Sequence, residues 1–189
     1  MNRCEWCKSS SIYIDYHDKE WGVPQHENKM LYEQLCLEGL QAGLSWIVVL
    51  KKREHLRQAF QNFNPEKIAQ FNRRDVQKLM NNKDIIRSKM KIEGIITNAR
   101  AWIKIMESGN ETFHDLLWKY VNFEVQTNQW RNASEIPTKN QQSRMMAKEL
   151  KQRNFKFVGA IICYAFMQAT GMINDHLATC FRHNQIKNF

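Results

Sequence analysis

His176 and Cys180 stand four residues apart, a spacing that on a helix or helical turn sets both side chains on one face, within reach of a common ion. Near the other end of the chain are Cys4 and His17. Two cysteines and two histidines make a closed tetrahedral zinc site, structural in type because no position is left for water. Cys4 also opens the pair Cys4-x-x-Cys7, by spacing alone the more familiar half-site. Spacing leaves both pairings open, together with the plainer reading of buried cysteines and a surface histidine. Cys36 and Cys163 fall in apolar helical runs and are expected as small buried hydrophobes. An ion joining Cys4 and His17 to His176 and Cys180 would close a loop of nearly the whole chain and remove closure entropy from the unfolded state.

A second concentration of chemistry lies in the first fifty residues, which hold Trp6, Tyr13, Tyr16, Trp21 and Trp46. Glu38 interrupts an otherwise apolar helical stripe through Leu31, Leu35 and Ala42. A buried, unpaired carboxylate is costly, so Glu38 needs either a local hydrogen-bond partner or a ligand that brings one. An aromatic slot with an anionic acceptor suits a cationic heterocycle, through stacking and cation–π attraction on its faces and hydrogen bonds at its edge. The alternative for each aromatic is an ordinary place in the core.

The elements that must carry these residues read as helices. Three prolines and seven glycines punctuate 189 residues, and apolar positions recur at helical rather than alternating spacing. The predicted class is all-α. One helix is expected over 29–41, stopped by Gly43, and Ser45 is placed to cap the next, which carries Trp46 towards Lys51, Lys52 and Arg53. Asn64-Pro65 is a cap followed by proline at the first helical position, and Asp75 is expected to cap a short segment through Val76, Leu79 and Met80. A longer helix is read over 92–106 and another over 113–121, whereas the polar stretch 122–142, which contains Pro137, reads as loop. Phe155 to Gly159 leads into an apolar helix over 160–170 that Gly171 ends.

Lysine and arginine number 28 against 19 acidic residues, a formal charge of +9 that suits a polyanion such as nucleic acid, though a solvated basic surface has the same composition. The N-terminal residues lack the pattern of a secretory signal, and no apolar run approaches the ~20 residues of a membrane span. A soluble cytoplasmic protein without a membrane partner is expected.

Several blocks occurring in order resemble the 3-methyladenine DNA glycosylase I family, of the helix-hairpin-helix glycosylase superfamily. They are Tyr13 to Asp18, Glu20 to Pro24, Leu37-Glu38-Gly39, Gln41 to Trp46, Leu50 to Arg53, Phe155 to Gly159 and Asn174-Asp175-His176, and the resemblance runs from about Arg3 to Cys180. It implies a single domain, 1–189, of two helical lobes whose termini are joined by one structural zinc ion. The implied ligands are Cys4, His17, His176 and Cys180, which decides against Cys7. It also implies a monofunctional enzyme that hydrolyses the N-glycosidic bond of 3-methyladenine in double-stranded alkylated DNA, leaving an abasic site and releasing the free base. Glu38 would accept hydrogen bonds from the base, with Tyr16 and Trp46 in the pocket and Tyr13, Trp21 and Trp6 nearby. Lys156 and Gly159 would contact DNA. Asp84 and Ala160 depart from the pattern, in which glycine and threonine or proline are expected. Asp175 lies near the position of the superfamily's catalytic aspartate, and a structural role, capping a helix or orienting His176, is expected instead. A monomer is the natural state for such an enzyme.

Overall fold

A computed structural model of the protein describes residues 1–187. Helix boundaries fall where capping chemistry is available. Helix α1 (Ser11–Lys19) is followed by α2 (Asn28–Gln41), whose first amides at Lys29 and Met30 donate to the Glu27 carboxylate. Gly43 takes φ +76° and reverses the chain, and α3 (Trp46–Ala59) starts after Ser45, whose side chain makes no cap bond. Asn64 caps α4 (Pro65–Ile68) by accepting the Lys67 amide at 2.9 Å. The expectation for Asp75 needs correction: Asn72 is the cap of α5 (Arg73–Asn81), and Asp75 answers from the third helical position by accepting the Asn72 amide. The box uses both side chains, so sequence marked the right neighbourhood and the wrong member.

The predicted 92–106 helix is α6 (Lys89–Ser108), ended by Gly109 at φ +69°. The 113–121 reading resolves into α7 (Phe113–Trp118) and a 3-10 turn over Lys119–Val121. The 122–142 stretch is mostly loop, yet it contributes β1 (Gln126–Thr127) to a two-stranded parallel pairing with β2 (Ile173–Asn174). Helix α8 (Gln141–Gln152), on which the sequence reading was silent, is capped by Asn140. Helix α9 (Ala160–Ala169) ends as expected before Gly171, at φ +71°, and α10 (Phe181–Lys187) follows.

Helix α2 lies at the centre: Leu31, Tyr32, Leu35, Cys36, Leu37 and Leu40 are all buried. They pack with Ile92, Ile95 and Ile96 of α6, Phe113 and Leu117 of α7, and Cys163, Phe166 and Met167 of α9. Each such side chain contributes about 1.5–3 kcal/mol on burial. Cys36 and Cys163 are buried free thiols, as expected. A second, smaller cluster forms around Cys4, Leu177 and Cys180, with Trp21 and Phe181 against it. Helices α8 and α9 pack together through the 153–159 hairpin, giving a helix–hairpin–helix. No helix among the described residues is long and apolar enough to cross a membrane.

Candidate active site and metal centre

Cys4, His17, His176 and Cys180 converge, all buried, with their ligand atoms within 4.8 Å of one another. Sγ of Cys180 lies 3.5 Å from Nε2 of His17 and 3.6 Å from Nδ1 of His176, which is 3.8 Å from Sγ of Cys4. A tetrahedral zinc with ordinary Zn–S and Zn–N bonds spaces its ligands by about 3.4–3.8 Å, so the donors present fit that ion in type and, at these three pairs, in spacing. The imidazoles are aimed by what holds their other nitrogens. His17 Nδ1 meets the Asp18 carboxylate at 2.8 Å, and His176 Nε2 meets the Trp21 carbonyl at 3.1 Å. Each acceptor fixes a proton on the outer nitrogen and leaves the inner lone pair for a cation. Arg3 in turn grips Asp18 and holds its carboxyl below the usual range. Hydrogen bonds from Cys4, His17 and His176 hold the Cys180 thiol below its ordinary range, and the Cys180 sulfur together with burial holds Cys4 above it.

His176 and Cys180 do not share a helix. They flank a turn closed by the Cys180 amide on the Leu177 carbonyl at 2.7 Å, just ahead of α10. Cys7 is buried but stands apart from the cluster, its thiol donating to the Cys4 carbonyl at 3.1 Å. The Cys4-x-x-Cys7 alternative is therefore not built.

Beside this cluster a cavity of about 230 Å³ opens between α1, α2, α3 and α9, below the ~300 Å³ at which drug-sized pockets begin and suited to one heterocycle. Trp6, Tyr16, Trp21 and Trp46 form its aromatic walls, and Glu38 with Gln41 supplies polar atoms from the last turns of α2. Tyr16 and Trp46 meet at 5.5 Å, and Trp6 and Trp21 meet edge to face at 5.1 Å. Glu38 is 3 % exposed. Its Oε1 accepts the Gln34 side-chain amide at 2.8 Å, one turn earlier on α2. Burial nevertheless pushes its carboxyl up to about 8, against the smaller opposing effect of Gln34. The same burial, and Glu38 itself, raises the Tyr16 phenol. The Trp46 indole N–H is buried without an acceptor among the described residues.

Tyr13 stands behind the cavity rather than among its lining residues. Its ring meets Trp6 at 5.6 Å and its hydroxyl oxygen accepts the Ile47 amide at 2.9 Å, capping the first turn of α3. Gln41, Ile136, Ala165 and Gln168 line the cavity without having been singled out. Gln168 sits within an apolar helix run, and only the packing of α9 against α2 reveals it.

Asp175 is 1 % exposed and accepts four hydrogen bonds, from Asn128 Nδ2, Trp130 Nε1, the Tyr164 hydroxyl and Gln168 Nε2 at 2.7–2.8 Å. Both carboxylate oxygens are thus occupied with tying the 128–130 loop to α9. It neither caps a helix nor touches His176, whose amide goes to Asn174. In the hairpin, Lys156 is exposed, and a side chain at Gly159 would meet nothing within 4 Å. Close helix packing therefore does not require glycine at position 159. Asp84 is absent from the residues with left-handed backbone, so its departure from glycine strains nothing. Ala160 simply begins α9.

Against known proteins, the chain is 51% identical over 180 residues to DNA-3-methyladenine glycosylase 1 of Escherichia coli (strain K12), covering 95% of this chain and 96% of that one. A crystal structure of 3-methyladenine DNA glycosylase I superposes with a TM-score of 0.95 at 49% identity, covering 96% of this chain and all of the other. A Staphylococcus aureus 3-methyladenine DNA glycosylase I, solved to describe its recognition of 3-methyladenine, gives 0.92 at 36% identity over 97% of each chain. Residues 6–183 match the Methyladenine glycosylase family along almost the full chain, and the protein belongs to it.

Proposed function

We propose that the protein hydrolyses the N-glycosidic bond of 3-methyladenine in alkylated double-stranded DNA, as a monofunctional, monomeric base-excision glycosylase that leaves an abasic site. The observation that carries this reading is Glu38: a carboxyl buried in an aromatic-walled cavity with one side-chain partner, raised to about 8 by burial. A positively charged base supplies the missing counter-charge. Methylation at N3 puts that charge on adenine and makes it a good leaving group, so catalysis needs extraction and orientation more than protonation of the base. Flipping costs a few kcal/mol, less for a damaged base whose stacking is weakened. Trp46 and Tyr16 stack on the flipped ring, Glu38 accepts hydrogen bonds from its edge, and Trp6 and Trp21 close the slot. Tyr13 acts one step removed, holding the start of α3. No lysine lines the cavity, so no Schiff base forms and the strand stays intact. Asp175, with its acceptors filled, is structural.

The DNA grip lies in the hairpin and the start of α9. The first amides of that helix have no side-chain cap, Gly159 leaves the approach open, and Lys156 adds charge, which together suit a phosphate. Zinc held by Cys4, His17, His176 and Cys180 would supply stability rather than chemistry, because four protein ligands leave no site for an activated water. A single domain is supported by one buried cluster that runs from Leu31 to Ile173.

The test is release of free base from methylated duplex DNA, with wild type beside Glu38→Ala and products separated by chromatography. Selective release of 3-methyladenine that falls in the variant is expected. No release by folded, zinc-loaded wild type would overturn the reading.

A further inference from the structure

Three residues of α6, Lys91, Gly94 and Asn98, follow one another at i, i+3 and i+7 and so occupy one face of the helix. Each of them engages backbone or side chain of an element that flanks the cavity or grips DNA. Lys91 Nζ donates to the Leu40 and Ala42 carbonyls at 2.7 and 2.5 Å, satisfying the end of α2 just before the Gly43 turn. Asn98, 3 % exposed, takes the Lys156 amide on Oδ1 at 2.7 Å and gives Nδ2 to the Lys156 carbonyl at 3.2 Å. One side chain thus holds both peptide groups of a hairpin residue. Gly94 makes room for the next residue: a Cβ there would lie 2.8 Å from Cδ2 of the Phe157 ring. Phe157 is held at φ +56°, a backbone region costing about 1–3 kcal/mol for a residue with a side chain. On its other side Phe157 meets Gly39, where a Cβ would lie 3.1 Å from the Phe157 Cβ. Gly39 directly follows Glu38.

We infer that the Lys91–Gly94–Asn98 face is a positioning device that sets the phosphate-gripping hairpin in register with the base-binding end of α2, through Phe157 seated between Gly94 and Gly39. The strained backbone at Phe157 persists because Asn98 and the two glycines over-determine it. A loosened hairpin would still fold and would still leave a base pocket, but the distance between phosphate grip and pocket would no longer be fixed. This rests on the glycosylase reading for the meaning of the pocket, whereas the hairpin's part in gripping DNA is tested separately from base release.

The experiment compares wild type, Asn98→Ala, Lys91→Met, Gly94→Ala, Phe157→Ala and the Gly94→Ala/Phe157→Ala pair. Two affinities are read for each: for duplex DNA carrying an uncleavable abasic-site analogue, and for free 3-methyladenine. Asn98→Ala is expected to weaken DNA binding about tenfold or more, the scale on which small misplacements act, while free-base affinity stays at the wild-type value; Lys91→Met, which frees the carbonyls at the end of α2, should weaken DNA binding as well. Gly94→Ala alone should weaken DNA binding, and adding it to Phe157→Ala should cost nothing further, because the ring it displaces is already gone. A merely structural role would lower both affinities together in proportion to lost stability, and that result overturns the inference. So does unaltered DNA affinity in Asn98→Ala, or full additivity in the pair. Wild type that binds the analogue without releasing 3-methyladenine from methylated DNA would sink the glycosylase reading alone.

Discussion

With its carboxyl raised to about 8 by burial, Glu38 is largely protonated at neutral pH before a base enters, and it must give up that proton to pair with a cation. Binding a cationic base therefore releases a proton below pH 8. Apparent kcat/KM for 3-methyladenine release should climb with pH, by up to about tenfold per unit, and level off above about 8. In Glu38→Gln the rise should vanish, leaving a low, flat profile; a wild-type profile that is flat from 6 to 8 would remove Glu38 from the recognition role. Stability follows with a definite sign. The folded carboxyl lies above its ordinary 4.5, so the stabilising contribution is fully present below that value and is lost as pH rises through about 8. Relative to wild type, Glu38→Gln should gain roughly 3–5 kcal/mol between pH 4.5 and 9, read from urea unfolding at the two pH values. Glu38 was legible in the sequence because a charge on an apolar helical stripe has to be accounted for. Gln168 was not, because a glutamine in the apolar run of α9 carries no local sign of which side chain it meets.

At the scale of elements, the glycine turns differ sharply in what they demand. Gly171 has φ +71°, and a Cβ there would lie 2.5 Å from Pro24 N and 2.6 Å from the Gly22 carbonyl, all backbone that cannot step aside. Gly43 has φ +76° with nothing within 4 Å. Gly171→Ala should therefore cost more than about 3 kcal/mol or fail to fold, whereas Gly43→Ala should cost about 1 kcal/mol; equal shifts in thermal midpoint would contradict this. Periodicity made α2, α3, α6 and α9 readable, since each has an apolar face and a glycine or cap at an end. It gave nothing for α1, whose face is built of the aromatics and histidine of the site, or for α8, where Met146, Ala147 and Leu150 are buried among polar residues. The left-handed Phe157 was also beyond reach, because only the glycines of α2 and α6 opposite it make that conformation tolerable.

For the whole molecule, Cys4 and His17 meet His176 and Cys180 from the two ends of the sequence, and an ion held there would close a loop worth roughly 5 kcal/mol by chain-entropy reasoning. Chelation should lower the thermal midpoint of Cys180→Ser little and that of wild type greatly, with base release falling only as the fold is lost; activity that vanishes while the fold persists would assign the metal a chemical role. The candidate ligand set was only half legible: the i, i+4 pair His176 and Cys180 is a local pattern, but Cys4 and His17, near the other end of the chain, followed from resemblance and not from spacing. The net charge of +9 should make DNA affinity fall steeply with salt. If Lys156 meets a phosphate, Lys156→Ala should reduce the slope of log K against log salt by about one, measured by fluorescence anisotropy.

Joining the ends also orders events in time. At ribosomal speed the chain reaches His176 roughly 10–30 s after His17, and until then Cys4 and His17 lack the other two members of the cluster. The walls contributed by Trp6 and Trp21, which pack against His17 and His176, cannot be held in place during that interval. A nascent chain therefore carries an unshielded Cys4 beside Cys7, open to oxidation into a local disulfide that would keep Cys4 from any metal until a thiol reduces it, so newly made protein is the form most vulnerable to an oxidant.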